Sequence, residues 1–113
     1  MARRLDLAVL ADILRQEGWD VLVDEDIVAR REGPGVWQLY ADRAGRIRLE
    51  ITREADMPRG RRLRLEGREY RVLKEIHEVI NILTTIHEEN DLLPVLHTLE
   101  DIVHRRLWET HVA

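Results

Sequence analysis

The sequence predicts an α+β fold: an N-terminal helix, a four- to five-stranded antiparallel sheet, and two C-terminal helices packed on one sheet face. Three observations predict it. Apolar residues recur at helical spacing near both ends of the chain. Between residues 27 and 66 they alternate every second position, the period of a strand with one buried face. The breaks between the alternating segments are glycine-bearing turns. The 113 residues hold no internal repeat, low-complexity tract or linker, so 1–113 is expected to be a single domain.

Residues 3–17 read as a helix, with Leu5, Val9, Leu10, Ile13 and Leu14 on one stripe and Gly18 where a left-handed C-cap belongs. Residues 19–23 are extended, and Asp24-Glu25-Asp26 forms a bend. Strand 27–32 runs into the turn Gly33-Pro34-Gly35. Strands 36–42 and 46–52 flank Arg43-Ala44-Gly45, a three-residue hairpin loop with Gly in its last, left-handed position. A fourth strand covers 61–66. Residues 70–89 read as a long helix on the 3-4-3 spacing of Leu73, Ile76, Ile80 and Leu83, although 66–72 fits a tight hairpin around Gly67 equally well. Asp91 can cap a last helix over 92–108, with Pro94 in its first turn.

Composition narrows the function classes. The chain is 44% hydrophobic and 35% charged, with no Phe and no Cys. The lack of Cys rules out a disulfide framework, a thiolate zinc site and a cysteine nucleophile, and it suits a reducing, cytoplasmic compartment. Asp6, Asp12 and Arg15 interrupt the apolar N-terminal stretch, which therefore reads as an amphipathic helix and not as a signal peptide. Ser is absent, so no serine triad exists, and no Gly-rich phosphate loop occurs. No residues suggest an enzyme or a bound cofactor. His97 and His104 lie seven apart with Glu100 and Asp101 between them; a rim role suits them better than metal binding, and no metal is expected.

Net charge is −4 but unevenly distributed. Residues 1–42 carry 5 basic and 9 acidic groups, 43–74 carry 11 and 5, and 75–113 carry 2 and 8. A mildly acidic chain thus has a basic middle third, and local charge decides where a phosphate chain can bind.

Registering the 36–52 hairpin by hand sets Ala41 opposite Ile47, Tyr40 opposite Arg48, Leu39 opposite Leu49, Gln38 opposite Glu50 and Trp37 opposite Ile51. Trp37, Leu39, Ala41, Ile47, Leu49 and Ile51 then share an apolar face that must lie against helices. Extending the alternation to strands 27–32 and 61–66 leaves Val28, Arg30, Gln38, Tyr40, Arg46, Arg48, Glu50, Arg62 and Arg64 on the other face. Arg59, Arg61, Arg68 and Arg71 could rim it. Guanidinium groups hold phosphates and stack on bases, and an exposed aromatic ring stacks a base with little sequence preference. Arg30, Tyr40, Arg46, Arg48, Arg62 and Arg64 are therefore the expected binding residues for single-stranded nucleic acid, most plausibly DNA. The plainer reading is a solvated arginine face, with Glu50 its one clear acidic partner. The alternative function is a protein-interaction or chaperone-like module that dimerises and holds a client. The wide apolar stripe of 70–89 either contacts the sheet and the last helix together, or serves a homodimer, or a dimer of dimers, built on C-terminal helices.

The order of helix, antiparallel strands and C-terminal helices, the Arg-rich sheet face and the ion-pair-rich, thermophile-like composition resemble the ThermoDBP family of archaeal single-stranded-DNA-binding proteins, especially its shorter members. The resemblance covers nearly the whole chain. It implies a helix-plus-sheet DNA-binding domain, assembly through C-terminal helices and sequence-tolerant binding; no leucine-zipper tail follows the domain here.

Overall fold

The computed structural model describes residues 4–33, 35–52, 61–74 and 79–109. The fold is α+β, with one antiparallel sheet of seven strands in the order β1-β2-β3-β4-β7-β6-β5. Helix α1 spans Leu7–Gln16. Strands β1 (Asp20–Val23), β2 (Ile27–Glu32), β3 (Val36–Ala41) and β4 (Arg46–Thr52) form a meander. Strands β5 (Arg61–Leu65), β6 (Arg68–Lys74) and β7 (Val79–Thr85) complete the sheet. A single 3-10 turn at Glu89–Asp91 leads into helix α2 (Leu92–Asp101), which continues as wider, π-type turns over Ile102–Glu109.

Helix α1 starts later than the spacing suggested, because Asp6 stands in extended backbone and accepts a bond from the Ala8 amide at 3.0 Å. Such a side-chain cap satisfies one of the unpaired amides of the first turn. Gly18 ends the helix at φ +89°, as the C-cap reading requires. The loop 43–45 also forms as expected. Gly45 sits at φ +87° and its carbonyl accepts from the Ile86 amide at 2.7 Å, while Arg43 accepts from the Leu5 amide at 2.8 Å. One hairpin loop thereby fastens both ends of the helical layer to the sheet.

The helix expected over 70–89 is instead the second arm of one hairpin and a central strand. Glu66 (φ +53°) and Gly67 (φ +74°) make a two-residue turn with both φ values positive, the primed geometry that matches strand twist. Residues 75–78 of that segment lie outside the described residues. β7 has a neighbour on each side, so its run Val-Ile-Asn-Ile-Leu-Thr-Thr is β-branched and nearly continuous in apolar character. Over so short a run, apolar spacing does not separate a buried strand from a helix, whereas β-branching favours the strand. Among the described residues there are therefore seven strands, not the expected four or five, and one C-terminal helix, not two, follows the sheet. Of the apolar stripe that suggested assembly through C-terminal helices, Ile80 and Ile82 are buried in the core as strand residues, while Leu83 stands on the opposite sheet face.

One sheet face is covered. Leu7, Leu10, Ala11 and Leu14 of α1, and Leu92, Val95, Leu96 and Leu99 of α2, lie in one cluster with Trp37, Leu39, Leu49, Ile51, Tyr70 and Val72. Arg31 of β2 is a charged residue at an inward position. Its guanidinium lies 4.8 Å from the ring centres of both Trp19 and Trp37 and pairs with Glu100 of α2 at 2.8 Å. A half-buried cation is thus stacked and neutralised at the helix–sheet boundary. Asp91 does not cap α2; it accepts from the His87 and Glu88 amides at 3.1 and 3.0 Å. Burial works to raise its pKa, but those amides and nearby Arg68 outweigh it and hold the carboxyl below its usual range. No helix among the described residues is long and apolar enough to cross a membrane.

A Cβ at position 45 would collide with the Ile86 carbonyl oxygen, and φ there is left-handed. Gly45→Ala should therefore lower unfolding stability by at least about 2 kcal/mol, measured by urea denaturation; a loss under about 0.5 kcal/mol would show that the loop does not fasten the two layers.

Candidate nucleic-acid interface

The other sheet face, which no helix among the described residues covers, is built by register. In an antiparallel ladder, directly opposite residues share a face. The hand-set pairing of β3 with β4 is the observed one, from Trp37 opposite Ile51 to Ala41 opposite Ile47. Following the pairs across the whole sheet gives one row: Leu22, Val28, Tyr40, Arg48, Leu83, Arg71, Arg62. A second row beside it reads Asp20, Arg30, Gln38, Glu50, Asn81, Leu73. A trough of about 530 Å³ lies over the first row, and Val28, Tyr40, Arg46, Arg48, Leu83 and Arg71 are among its walls. That volume falls in the range of sites that take a small molecule or one unit of a polymer.

All six expected residues lie on this face, but not as one cluster. β7 and β6 stand between β4 and β5, so Arg62 and Arg64 are three strands from Arg48 and Arg46. At about 4.8 Å per strand that is roughly 14 Å. The arginines form a track and not a ring around Tyr40. Two are already engaged: Arg30 pairs with Glu32 at 3.1 Å, and Arg46 with Asp42 at 2.6 Å. The acidic partners are thus Glu32 and Asp42, not Glu50. The Arg30–Glu32 pair is exposed on both sides and opens readily to a stronger anion, whereas the Asp42 carboxylate is also held by the Ala44 and Arg46 amides at 3.0 Å. Among the described residues, Arg48, Arg62, Arg64 and Arg71 make no ion pair.

Tyr40 is half-buried. Its hydroxyl donates to Gln38 Oε1 at 2.8 Å, with Glu50 Oε2 at 3.4 Å. Desolvation first, and then the Glu50 carboxylate, push its phenol above the ordinary value against the opposing pull of Arg48. The phenol therefore stays neutral at physiological pH and adds no negative charge to the track. The Arg48 guanidinium sits 4.2 Å from the ring centre. One side of the ring is therefore occupied by a cation, and a stacked base would rest on the remaining side or on the Arg48–Tyr40 pair.

Arg71 and Leu83 belong to the row and were not singled out as site residues in the sequence. Arg71 had only a place on the rim and Leu83 a place on a helical stripe, because their strands were read as helix. The Gly67 turn signal was the clue: accepting it carries the alternation into 68–74 and turns Arg71 onto the face of Arg62. Of the other rim residues, Arg68 instead pairs with Asp91 at 3.6 Å, and Arg59 lies outside the described residues. His97 bonds Glu17 at 3.0 Å and His104 stacks on Trp37 at 5.5 Å, so the two histidines serve separate contacts. No group of three potential metal ligands occurs among the described residues.

Comparison with protein-family models, curated proteins and solved structures finds no match for this chain.

Arg62 and Arg71 are directly opposite, a like-charge pair that weakens a ladder. Arg62→Glu should therefore raise the stability of the free protein by roughly 0.2–1 kcal/mol, read from chemical denaturation. A loss of stability would mean that Arg62 has a packing role and that its position on the face is not chosen for charge.

Proposed function

We propose that the chain binds single-stranded nucleic acid, DNA in the first place, across the sheet face that α1 and α2 leave open, without strong sequence preference. The observation that carries this reading is the row Tyr40–Arg48–Leu83–Arg71–Arg62, which alternates stacking or apolar groups with cations at right angles to the strands. Bases stack on rings and guanidinium planes, phosphates are held by arginines, and neither contact reads sequence. Arg30, Arg46 and Arg64 flank the track. A duplex presents neither unstacked bases nor the flexibility to lie in the trough, so it binds less well. Leu83, half-buried at the centre of the row, supplies apolar floor for a base.

A second reading has one observation in its favour. At the β1 end the row is apolar, with Leu22 75% and Val28 41% exposed. Such a patch fits a protein partner, and binding through it would be largely indifferent to salt.

Fluorescence anisotropy with a labelled single strand separates the two. With four arginines on the face that make no ion pair among the described residues, the slope of log affinity against log salt should approach about −3, at 0.7 per phosphate contact. The Arg48→Ala/Arg71→Ala double variant should flatten it by about 1.4. Tyr40→Ala should weaken binding by about 1–3 kcal/mol with the slope unchanged. No binding at low salt would remove the nucleic-acid reading and leave the interaction surface.

A further inference from the structure

Arg62 and Arg71 have a geometry of their own within the track. Cross-strand residues stand about 5 Å apart at Cβ, so two exposed arginine side chains leave the sheet side by side on one face. Arg64 lies on the same strand and face, and its own opposite residue is Glu69. β5 is the edge of the sheet, so among the described residues nothing continues the row beyond Arg62. The other end of the row, Leu22 and Val28, carries no cation. The row is therefore polar: apolar groups at one end, a stacking ring next, and a doubled cation at the other limit.

We propose that Arg62 and Arg71 clamp the terminal phosphomonoester of a single strand, so that the face holds a strand by a phosphorylated end. This deepens the nucleic-acid reading above and rests on it. The charge match selects the end group. An internal phosphodiester carries one negative charge, whereas a phosphomonoester carries about −1.5 to −2 at pH 7 and offers three acceptor oxygens. Two guanidinium groups meeting one dianion turn a repulsive pair into charge-assisted, geometrically matched hydrogen bonds. The polarity of the row then fixes the order of contacts: phosphate at the β5–β6 hairpin, first bases over Leu83 and Arg48, and a further base at Tyr40.

The test compares three oligothymidylates of equal length, bearing a 5′-phosphate, a 3′-phosphate or hydroxyls at both ends, at fixed salt. One phosphorylated form should bind roughly tenfold more tightly than the hydroxyl form, the gain expected of one added charge-assisted contact; which form gains shows the direction in which the strand lies. Lowering the pH from 7.5 to 5.5 should shrink that ratio, because the phosphomonoester takes up its second proton near about pH 6 while arginine does not titrate. In Arg71→Ala, and separately in Arg62→Ala, the ratio should fall to about one while the hydroxyl form still binds. Equal binding of all three forms by the parent protein overturns the clamp and leaves the sheet-face reading standing. A ratio that persists in both variants places the phosphate elsewhere and also overturns it. Failure of every form to bind at low salt overturns the nucleic-acid reading and the clamp together.

Discussion

Strand β7 enters between β4 and β6, and its two ladders join what would otherwise be a four-stranded meander and a separate hairpin. An isolated two-stranded hairpin is marginal in water. The β5–β6 hairpin, with its arginines, is joined to the sheet by β7, which gives Val72 and Leu73 a partner in Ile82 and Asn81. The same register decides what faces what. A slip by one residue would turn Ile80 and Ile82 outward and break the row that joins Arg48 to Arg71. Core and candidate site thus depend on a single alignment of one central strand.

That alignment yields a sheet with unlike faces. One face carries the buried apolar cluster, Trp37, Leu39, Leu49, Ile51, Ile80 and Ile82 among it, and is closed by α1 and α2. Arg31 is the only arginine of β2–β4 on that side, and Trp19, Trp37 and Glu100 surround it. The other face collects the remaining arginines of those strands with Tyr40 at their centre. The sheet's two edges differ as well. β1 is bordered by Asp20, Asp24, Glu25 and Asp26, while β5 contributes Arg61, Arg62 and Arg64. Charged edges discourage unwanted strand pairing. In this sheet they also grade the potential along the row, from acidic and apolar at β1 to basic at β5.

Much of this was legible in the sequence. The alternation from 27 to 52 and the glycines at 33, 35 and 45 specify three strands, their register and their inward residues, and the side-chain placement of Tyr40 and Arg48 follows directly. The segment 68–85 was not legible in the same way. β7 carries Leu83 on one face and Ile80 and Ile82 on the other, so it lacks a clean alternation, and Leu73, Ile80 and Leu83 satisfy helical spacing by coincidence. Reading 70–89 as a helix left Arg71 on the rim and left out the two strands that stand between Arg48 and Arg62. Ion pairs such as Arg46–Asp42 and Arg30–Glu32 join residues only two to four positions apart, and the choice of partner depends on strand twist that composition does not encode.

The central claim is that the uncovered face, read along the row from Tyr40 to Arg62, is the surface that meets nucleic acid. The most direct measurement is backbone amide chemical-shift mapping of the full chain titrated with an unlabelled oligothymidylate at low salt. The account predicts the largest changes at residues 40, 46–48, 62–64, 71 and 83, with α1 and α2 nearly still. Changes centred on the helices, or on Leu22 and Val23 with the arginine track silent, would contradict it.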